Sequence, residues 1–338
     1  QLMKISDIQR YDTKKMYEAY DYWPKLAKEY YEKDFSKLEI DDVDHIVFAG
    51  MGGSGTIGDI ISSILSKTNI HVNVVKGYLL PKTVDSNTLV VATSISGNTD
   101  EVLSILKNSE NSKAKFISFS SDGNLEKISI ENNIKHVKIS QSHSPRASLP
   151  SFLYSILNVL ENVIPIKKND IVESISKLEQ TQKLISSSNL NEKNPSLSLA
   201  NWIKNIPIIY YPLGLHAAAI RFKNSLQENA KVHAISEDVI EACHNGIVAW
   251  ENKTSVQPIL IQGHDDYIKT KERWKIFKEF LQSRQIDFKE VNSDEGNILS
   301  KIMYLIYLLD YSTIYHAIES KIDPTPVKSI EFIKKRLK

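Results

Sequence analysis

Along the first half of the chain, short apolar runs alternate with stretches whose apolar residues recur every three to four positions. Residues 45–50 (HIVFAG), 70–75, 88–94, 115–121 (KFISFSS) and 136–140 show the first pattern, which predicts strands buried in a sheet. Residues 59–67 (DIISSILSK), 100–107 and 124–132 show the second, which predicts helices between those strands. Strands alternating with helices predict a parallel, doubly wound sheet. Residues 149–163 then predict a long apolar helix opening at Pro150, and 167–194 an amphipathic helix with a polar loop at its end. The pattern restarts with strands at 206–211 (IPIIYY), 232–235, 257–262 (QPILIQ) and 287–291, a helix at 215–229, a charged helix before the last strand, and a helical C-terminal third. The expected fold is α/β, two units each built on a parallel sheet flanked by helices, spanning 1–155 and 156–338.

Composition narrows the function classes. Of 338 residues, 41% are apolar and 25% charged, and the net charge is +1, so neither a nucleic acid nor a membrane surface is an expected partner. The apolar run 302–309 stops at Asp310, well short of the roughly 20 residues a membrane span needs, and predicts a buried helix. Cys243 is the single cysteine, which excludes an internal disulfide and suits a reducing cytoplasm. The opening QLMKISDIQR has no apolar signal core, which fits the same location. The nine histidines form no HxH or HxxxH pair, so neither a metal nor another cofactor is expected. Arginine occurs only as Arg10, Arg146, Arg221, Arg273, Arg284 and Arg336, so an arginine inside a motif stands out.

Two loops carry candidate chemistry. Gly50-Met51-Gly52-Gly53-Ser54-Gly55 follows a predicted strand and opens a helix, a setting in which backbone N–H groups approach an anion. It matches GxGxxG literally, but the next strand ends Val74-Val75-Lys76-Gly77, without the acid that a nicotinamide dinucleotide's ribose requires. The lysine of a P-loop is also missing after Gly55. By itself this loop is a weak signal, and its plainer reading is a tight strand-to-helix turn without a ligand. Ser94-Ile95-Ser96-Gly97-Asn98-Thr99 is a second loop of the same placement, offering hydroxyls, a glycine and a helix start to a phosphate monoester. Its plainer reading is an N-cap cluster around Thr99, Asp100 and Glu101. Two such loops after neighbouring strands favour the anion reading.

GMGGSG followed by SISGNTDE resembles the sugar isomerase (SIS) domain. Ser144-Pro145-Arg146-Ala147-Ser148-Leu149-Pro150, Glu228-Asn229-Ala230-Lys231, Glu241-Ala242-Cys243-His244-Asn245 and Asp323-Pro324 narrow the similarity to the bifunctional phosphoglucose/phosphomannose isomerases, from about Gly50 onward. That resemblance implies two SIS subdomains, a homodimer with shared active sites, and an aldose–ketose isomerisation through a cis-enediolate. Phosphate and sugar contacts would come from Gly52, Gly53, Ser54, Ser94, Ser96 and Thr99. Glu228 would be the base that carries the proton between C1 and C2, a task suited to a carboxylate. His244, contributed across the dimer, would open the sugar ring, and Arg146 would stabilise the enediolate charge.

Lys334 is the counterpart of a ring-opening lysine near the C-terminus, with Lys335 and Lys338 as competitors. Thr325 is a candidate for the position that leaves room for rotation about C2–C3. The alignment without gaps that selects Lys334 puts Val327 there instead, so mannose phosphate activity is less firmly implied than glucose phosphate activity. Residue by residue, the bland readings are a surface glutamate, a structural histidine, a structural ion pair at Arg146 and a solvated lysine. Cys243 beside His244 does not make a nucleophilic pair, because adjacent side chains seldom meet productively. Two other classes compete: a non-catalytic SIS sensor, which has no use for Glu228, His244 and Arg146 together, and an NAD-dependent oxidoreductase, which the missing acid disfavours.

Overall fold

The structure, a computed structural model, describes residues 2–337. Three helices, α1 (Ile5–Tyr11), α2 (Met16–Asp21) and α3 (Trp23–Glu32), precede the first strand. Next come β1 (His45–Ala49), α4 (Gly52–Leu65), β2 (His71–Val75), β3 (Thr88–Thr93), α5 (Asp100–Lys107), β4 (Lys115–Ser120), α6 (Asn124–Glu131) and β5 (Lys135–Lys138). Helices α7 (Leu149–Val159), α8 (Lys168–Ile185) and α9 (Pro195–Trp202) lead to β6 (Pro207–Tyr211), α10 (His216–Ala230), β7 (Ile235–Asp238) and α11 (Val239–Ala242). Then follow β8 (Gln257–Gln262), α12 (Ile268–Ser283), β9 (Lys289–Asn292), α13 (Ile298–Glu319) and α14 (Lys328–Arg336).

The chain forms two compact units. One holds residues 22–179 with 297–300; the other holds the residues up to 21, 180–296 and those from 301 onward.

In the first unit five strands form one sheet in the order β2-β1-β3-β4-β5, every neighbouring pair parallel. Every residue of β1 and of β3 is buried, which is why both read as unbroken apolar runs rather than as alternations. Val47, Ala49, Val90 and Ile105 pack on one side of them. Helix α7 packs against α3, and Asn158 fixes that pair. Its buried Nδ2 donates to the carbonyls of Tyr30, Tyr31 and Lys33, which closes the C-terminal end of α3.

The second unit has a four-stranded parallel sheet in the order β7-β6-β8-β9. Tyr210, Trp250, Trp274 and Phe277 anchor its core, with Cys243 packed at the edge. The apolar run 302–309 lies in α13 and is buried, as its composition requires. Among the described residues no helix is long and apolar enough to cross a membrane.

One predicted strand is displaced. The apolar pattern puts it at 232–235, but β7 begins at Ile235. Lys231 takes a left-handed conformation that ends α10, and the next residues make the turn. β7 is an edge strand, half-exposed along its length, so its polar sequence ISED does not read as a buried run. Helix α4 begins inside the glycine motif at Gly52, before its apolar spacing becomes visible.

Candidate active site

In the first sheet the connections leaving β1 and β3 diverge, because β1 feeds β2 on one side while β3 feeds β4 on the other. The crevice outside the carboxyl ends at such a reversal is where open parallel sheets bind ligands. Both predicted loops lie there. The glycine loop leaves β1 and the serine loop leaves β3.

The glycine loop turns sharply at Gly50. A Cβ there would lie 2.9 Å from Cβ of Ser54 and 3.1 Å from the Thr93 carbonyl oxygen, so only glycine fits. The N-cap of α4 is Met51, which makes no side-chain cap bond to the helix. The two loops meet through Ser54, whose Oγ accepts a hydrogen bond from the Ile95 N–H at 3.4 Å.

The serine loop is held by its own side chains. Ser94 is fully buried, and its Oγ accepts from the N–H groups of Gly97 (3.1 Å) and Thr99 (3.3 Å) and pairs with Thr99 Oγ1 at 2.7 Å. Gly97 has φ +76°, and a Cβ on it would stand 1.4 Å from the Asp122 carbonyl oxygen. Asn98 latches the loop to α6 by accepting from the Asn124 N–H at 3.0 Å. Ser96 and Thr99 are half-buried, and Ser96 Oγ accepts from the Asn98 N–H at 3.3 Å. Thr99 stands at the N-cap of α5, yet its side chain makes no cap bond to that helix. The Thr99 hydroxyl is bonded to Ser94 rather than to the helix it precedes.

Lys76 follows β2, where a dinucleotide site would carry its acid. Its Nζ lies 2.6 Å from Asp59 Oδ2 on α4. This ion pair braces the glycine-loop helix, and the sequence gives no sign of it. Arg146 is buried in the 3₁₀ turn Arg146–Ser148, which packs against α4 in the same unit. Ser148 knits that turn together by donating to the carbonyls of Ser142 (3.1 Å) and Ser144 (2.8 Å). Trp23 Nε1 donates to the Ala147 carbonyl at 2.9 Å. The first unit thus gathers Gly52, Gly53, Ser54, Ser94, Ser96 and Thr99 at one reversal of strand order, and carries Arg146 in the buried turn against α4.

The second unit carries the remaining candidates. Glu228 is half-buried in the last turn of α10. That helix is fastened to α13 by three polar side chains at four-residue spacing. Arg221 Nη2 donates to Asp310 Oδ2 at 2.8 Å, Ser225 Oγ donates to Asp310 Oδ1 at 2.8 Å, and Asn229 Nδ2 donates to Thr313 Oγ1 at 2.9 Å. Tyr20 donates to the same Asp310 carboxylate at 2.8 Å. Arg221 and Asp310 are both buried, and the carboxylate beside it holds the Arg221 guanidinium charged despite burial.

Thr325 is half-buried, and its N–H donates to Asp323 Oδ1 at 3.1 Å. Val327 is the N-cap of α14. His244 is exposed on the loop after α11, whereas Cys243 beside it packs on the core, so the two side chains sit in different environments. Asn245 braces this loop by donating to Glu241 Oε1 at 2.7 Å. Lys334 and Lys335 lie on α14, none of whose residues is buried; Lys338 lies outside the described residues. Among the described residues no group of three or more His, Cys, Asp or Glu side chains could hold a metal ion.

The SIS domain model matches residues 39–154, and the model of the bacterial phospho-glucose isomerase C-terminal SIS domain matches residues 192–337. A bifunctional phosphoglucose/phosphomannose isomerase from Caldicellulosiruptor bescii is 30% identical over 335 residues, covering 95% of this chain and 98% of that relative. The chain belongs to this family. A second bifunctional phosphoglucose/phosphomannose isomerase, from Aquifex aeolicus, is 31% identical over 87% of this chain and 90% of its own length. Among solved structures, a hypothetical protein from Thermus thermophilus superposes with a TM-score of 0.70 at 14% identity, covering 98% of this chain and 94% of that one. At that identity the likeness shows the fold alone, and it is the SIS-type α/β fold of the family.

Proposed function

We propose that this chain is an aldose–ketose isomerase interconverting glucose 6-phosphate, and also mannose 6-phosphate, with fructose 6-phosphate through a cis-enediolate. The observation that carries the reading is the relationship along 98% of the length of a bifunctional phosphoglucose/phosphomannose isomerase. The joined loops at the strand-order reversal support it, because they make a hydroxyl- and N–H-rich cradle of the kind a phosphate monoester needs.

In this reading Ser96, Thr99 and the loop N–H groups hold the phosphate. His244 and Lys334 assist ring opening, in which the O1 proton leaves and the ring oxygen gains one. Glu228 removes the proton from C2 of the open aldose. The electron pair left behind forms the C1–C2 double bond as the carbonyl oxygen gains negative charge, which Arg146 stabilises. The O2 proton then passes to O1, and as O2 becomes the carbonyl oxygen the electron pair of the C1–C2 double bond takes the proton back from Glu228 at C1, giving the ketose. Rotation of the intermediate about C2–C3, beside Thr325, lets one base serve both epimers. The assembly is a homodimer in the cytoplasm, with the partner subunit's His244 completing each site. A non-catalytic SIS sensor gains no support, since both relatives carry enzyme names.

The test is a coupled assay on the purified chain with fructose 6-phosphate, mannose 6-phosphate and glucosamine 6-phosphate as separate substrates. Glucose 6-phosphate should form from the first two. Tight binding of these sugar phosphates with no turnover of any would overturn the reading.

A further inference from the structure

The end of α10 breaks a backbone rule. Its C-cap is Lys231, with φ 57° and ψ 35°. This left-handed conformation costs an ordinary residue about 1–2 kcal/mol, and helices usually place glycine or asparagine there. Lys15 and Lys321 share this left-handed φ, so what singles out Lys231 is where its ammonium goes. Lys231 Nζ donates to the backbone carbonyl of Glu228, three residues back in the last turn. It also donates to the Pro324 carbonyl at 3.1 Å.

Neither acceptor is incidental. The first belongs to the main chain of the residue assigned as base. The second precedes Thr325 in the Asp-Pro-Thr-Pro segment. That segment is tied down on its far side, where Asp323 Oδ2 accepts from Thr13 Oγ1 at 2.5 Å and Asp323 Oδ1 accepts from the Thr325 N–H at 3.1 Å. A single ammonium thus staples the last turn of α10 to the loop before α14. A carbonyl in the last helical turn lacks an intrahelical partner, so the Glu228 carbonyl is a natural acceptor for it.

We infer that Lys231 is a positioning residue for the isomerisation: its bridge from Glu228 to Pro324 fixes the direction in which the Glu228 carboxylate is aimed. The inference rests on the assignment of Glu228 as base. Aim matters because the carboxylate must reach two adjacent carbons in turn, and a displacement of about 1 Å can cost on the order of 100-fold in rate. Sequence reading recovers the ENAK motif but not this role, because the left-handed backbone and the contact with Pro324 appear only in the fold.

The bridge is testable because glycine suits the backbone at this position. Lys231→Gly removes the ammonium and relieves the left-handed strain, so the variant should fold with an unchanged or higher Tm. Its kcat should fall about 10- to 100-fold, with KM for fructose 6-phosphate within about twofold. Lys231→Arg, which can reach both carbonyls, should recover most of kcat. In deuterated water, Lys231→Gly should exchange the C2 proton with solvent more often per turnover than the parent, since a poorly aimed carboxylate holds the intermediate longer before returning the proton. A merely structural lysine would leave that ratio unmoved.

Wild-type kcat in Lys231→Gly, or a loss of kcat that Lys231→Arg does not recover, would overturn the inference. Glu228→Gln measured alongside separates the two levels. If Glu228→Gln is dead while Lys231→Gly is fully active, the bridge alone is refuted. If Glu228→Gln is active, the assignment of the base fails and the bridge falls with it.

Discussion

Each sheet reverses its strand order once at the carboxyl ends, between β1 and β3 in the first and between β6 and β8 in the second. By topology both reversals should offer a ligand crevice. At the first, the loops supply glycine, Ser54, Ser94, Ser96 and Thr99, with main-chain N–H groups turned toward one another's hydroxyls. At the second, β6 runs out into Pro212 and Leu213, the latter 74% exposed. β8 runs out into Gly263, His264, Asp265 and Asp266. Asp266 Oδ2 takes up the Gly263 N–H (3.0 Å) and the Trp274 indole N–H (2.9 Å). Asp265 is bonded by Lys301 and His264, which push its carboxyl down to about 2 and keep it anionic. The second reversal thus carries two carboxylates, Asp265 and Asp266, where the first carries hydroxyls. Topology therefore offers the crevice twice, and the loop chemistry of the two differs. In the proposed reading the second unit contributes Glu228 from the end of α10 instead.

The sharpest division of labour concerns Glu228. If the first unit binds and the second does chemistry, Glu228→Gln should bind sugar phosphate almost normally while kcat falls by about 10²–10⁴-fold. Exchange of the C2 proton with deuterated solvent should stop, and glucose and mannose phosphate activities should fall together. Loss of the mannose activity alone would require two separate bases and would break the comparison.

The same division says that α10 must be held rigidly for Glu228 to act. The clamp is the buried Arg221–Asp310 pair with its bonds from Tyr20 and Ser225. Asp310→Ala leaves a buried guanidinium without its carboxylate and should cost about 3–5 kcal/mol of stability. Denaturant titration at neutral pH measures this. A loss under about 1 kcal/mol, the scale of an exposed pair, would mean that packing of α10, and not its polar clamp, sets the position of Glu228.

The binding side depends on Gly97 in a different way. Gly97→Ala places a methyl 1.4 Å from the Asp122 carbonyl oxygen at φ +76°, so the loop has to move. Strain of this kind is worth about 1–3 kcal/mol. KM for every sugar phosphate should rise by roughly ten-fold or more, since about 1.4 kcal/mol is a factor of ten. The global Tm should shift only modestly, because the damage is confined to one loop.

Legibility in the sequence follows the same line. Strands β1, β3, β6 and β8 are visible because burial on both faces makes them apolar runs; edge strand β7 is misplaced because half-exposure leaves it polar. Helices α1, α2 and α3 have no strand between them to set an alternation, and the pattern does not reveal them. The glycine and serine loops are legible because main-chain geometry restricts which residues can occupy them. The braces behind the site are not: Lys76 meets Asp59 17 positions away, Arg221 meets Asp310 across 89, and Lys231 meets Pro324 across 93. Any lysine or arginine looks alike until the fold chooses its partner.

The smallest expected effect separates two serines that look equivalent in the motif. Ser96 is half-buried and Ser94 fully buried, with the Ser94 hydroxyl spent on Gly97, Thr99 and the Thr99 side chain. In the proposed reading Ser96 donates to the phosphate directly, whereas Ser94 shapes the loop that does so. A single hydrogen bond is worth about 0.5–1.5 kcal/mol net. Ser96→Ala should therefore raise KM by roughly 2- to 12-fold, with kcat nearly unchanged, because phosphate binding is shared by ground and transition states. Ser94→Ala removes the hydroxyl that joins the Gly97 and Thr99 N–H groups to the Thr99 side chain, and should in addition lower Tm, which Ser96→Ala should not. Melting curves and KM values for the two variants, taken together, decide it. If Ser94→Ala leaves Tm unchanged and Ser96→Ala leaves KM unchanged, the loop is no more than a helix start, and the contrast between the two strand-order reversals loses its meaning.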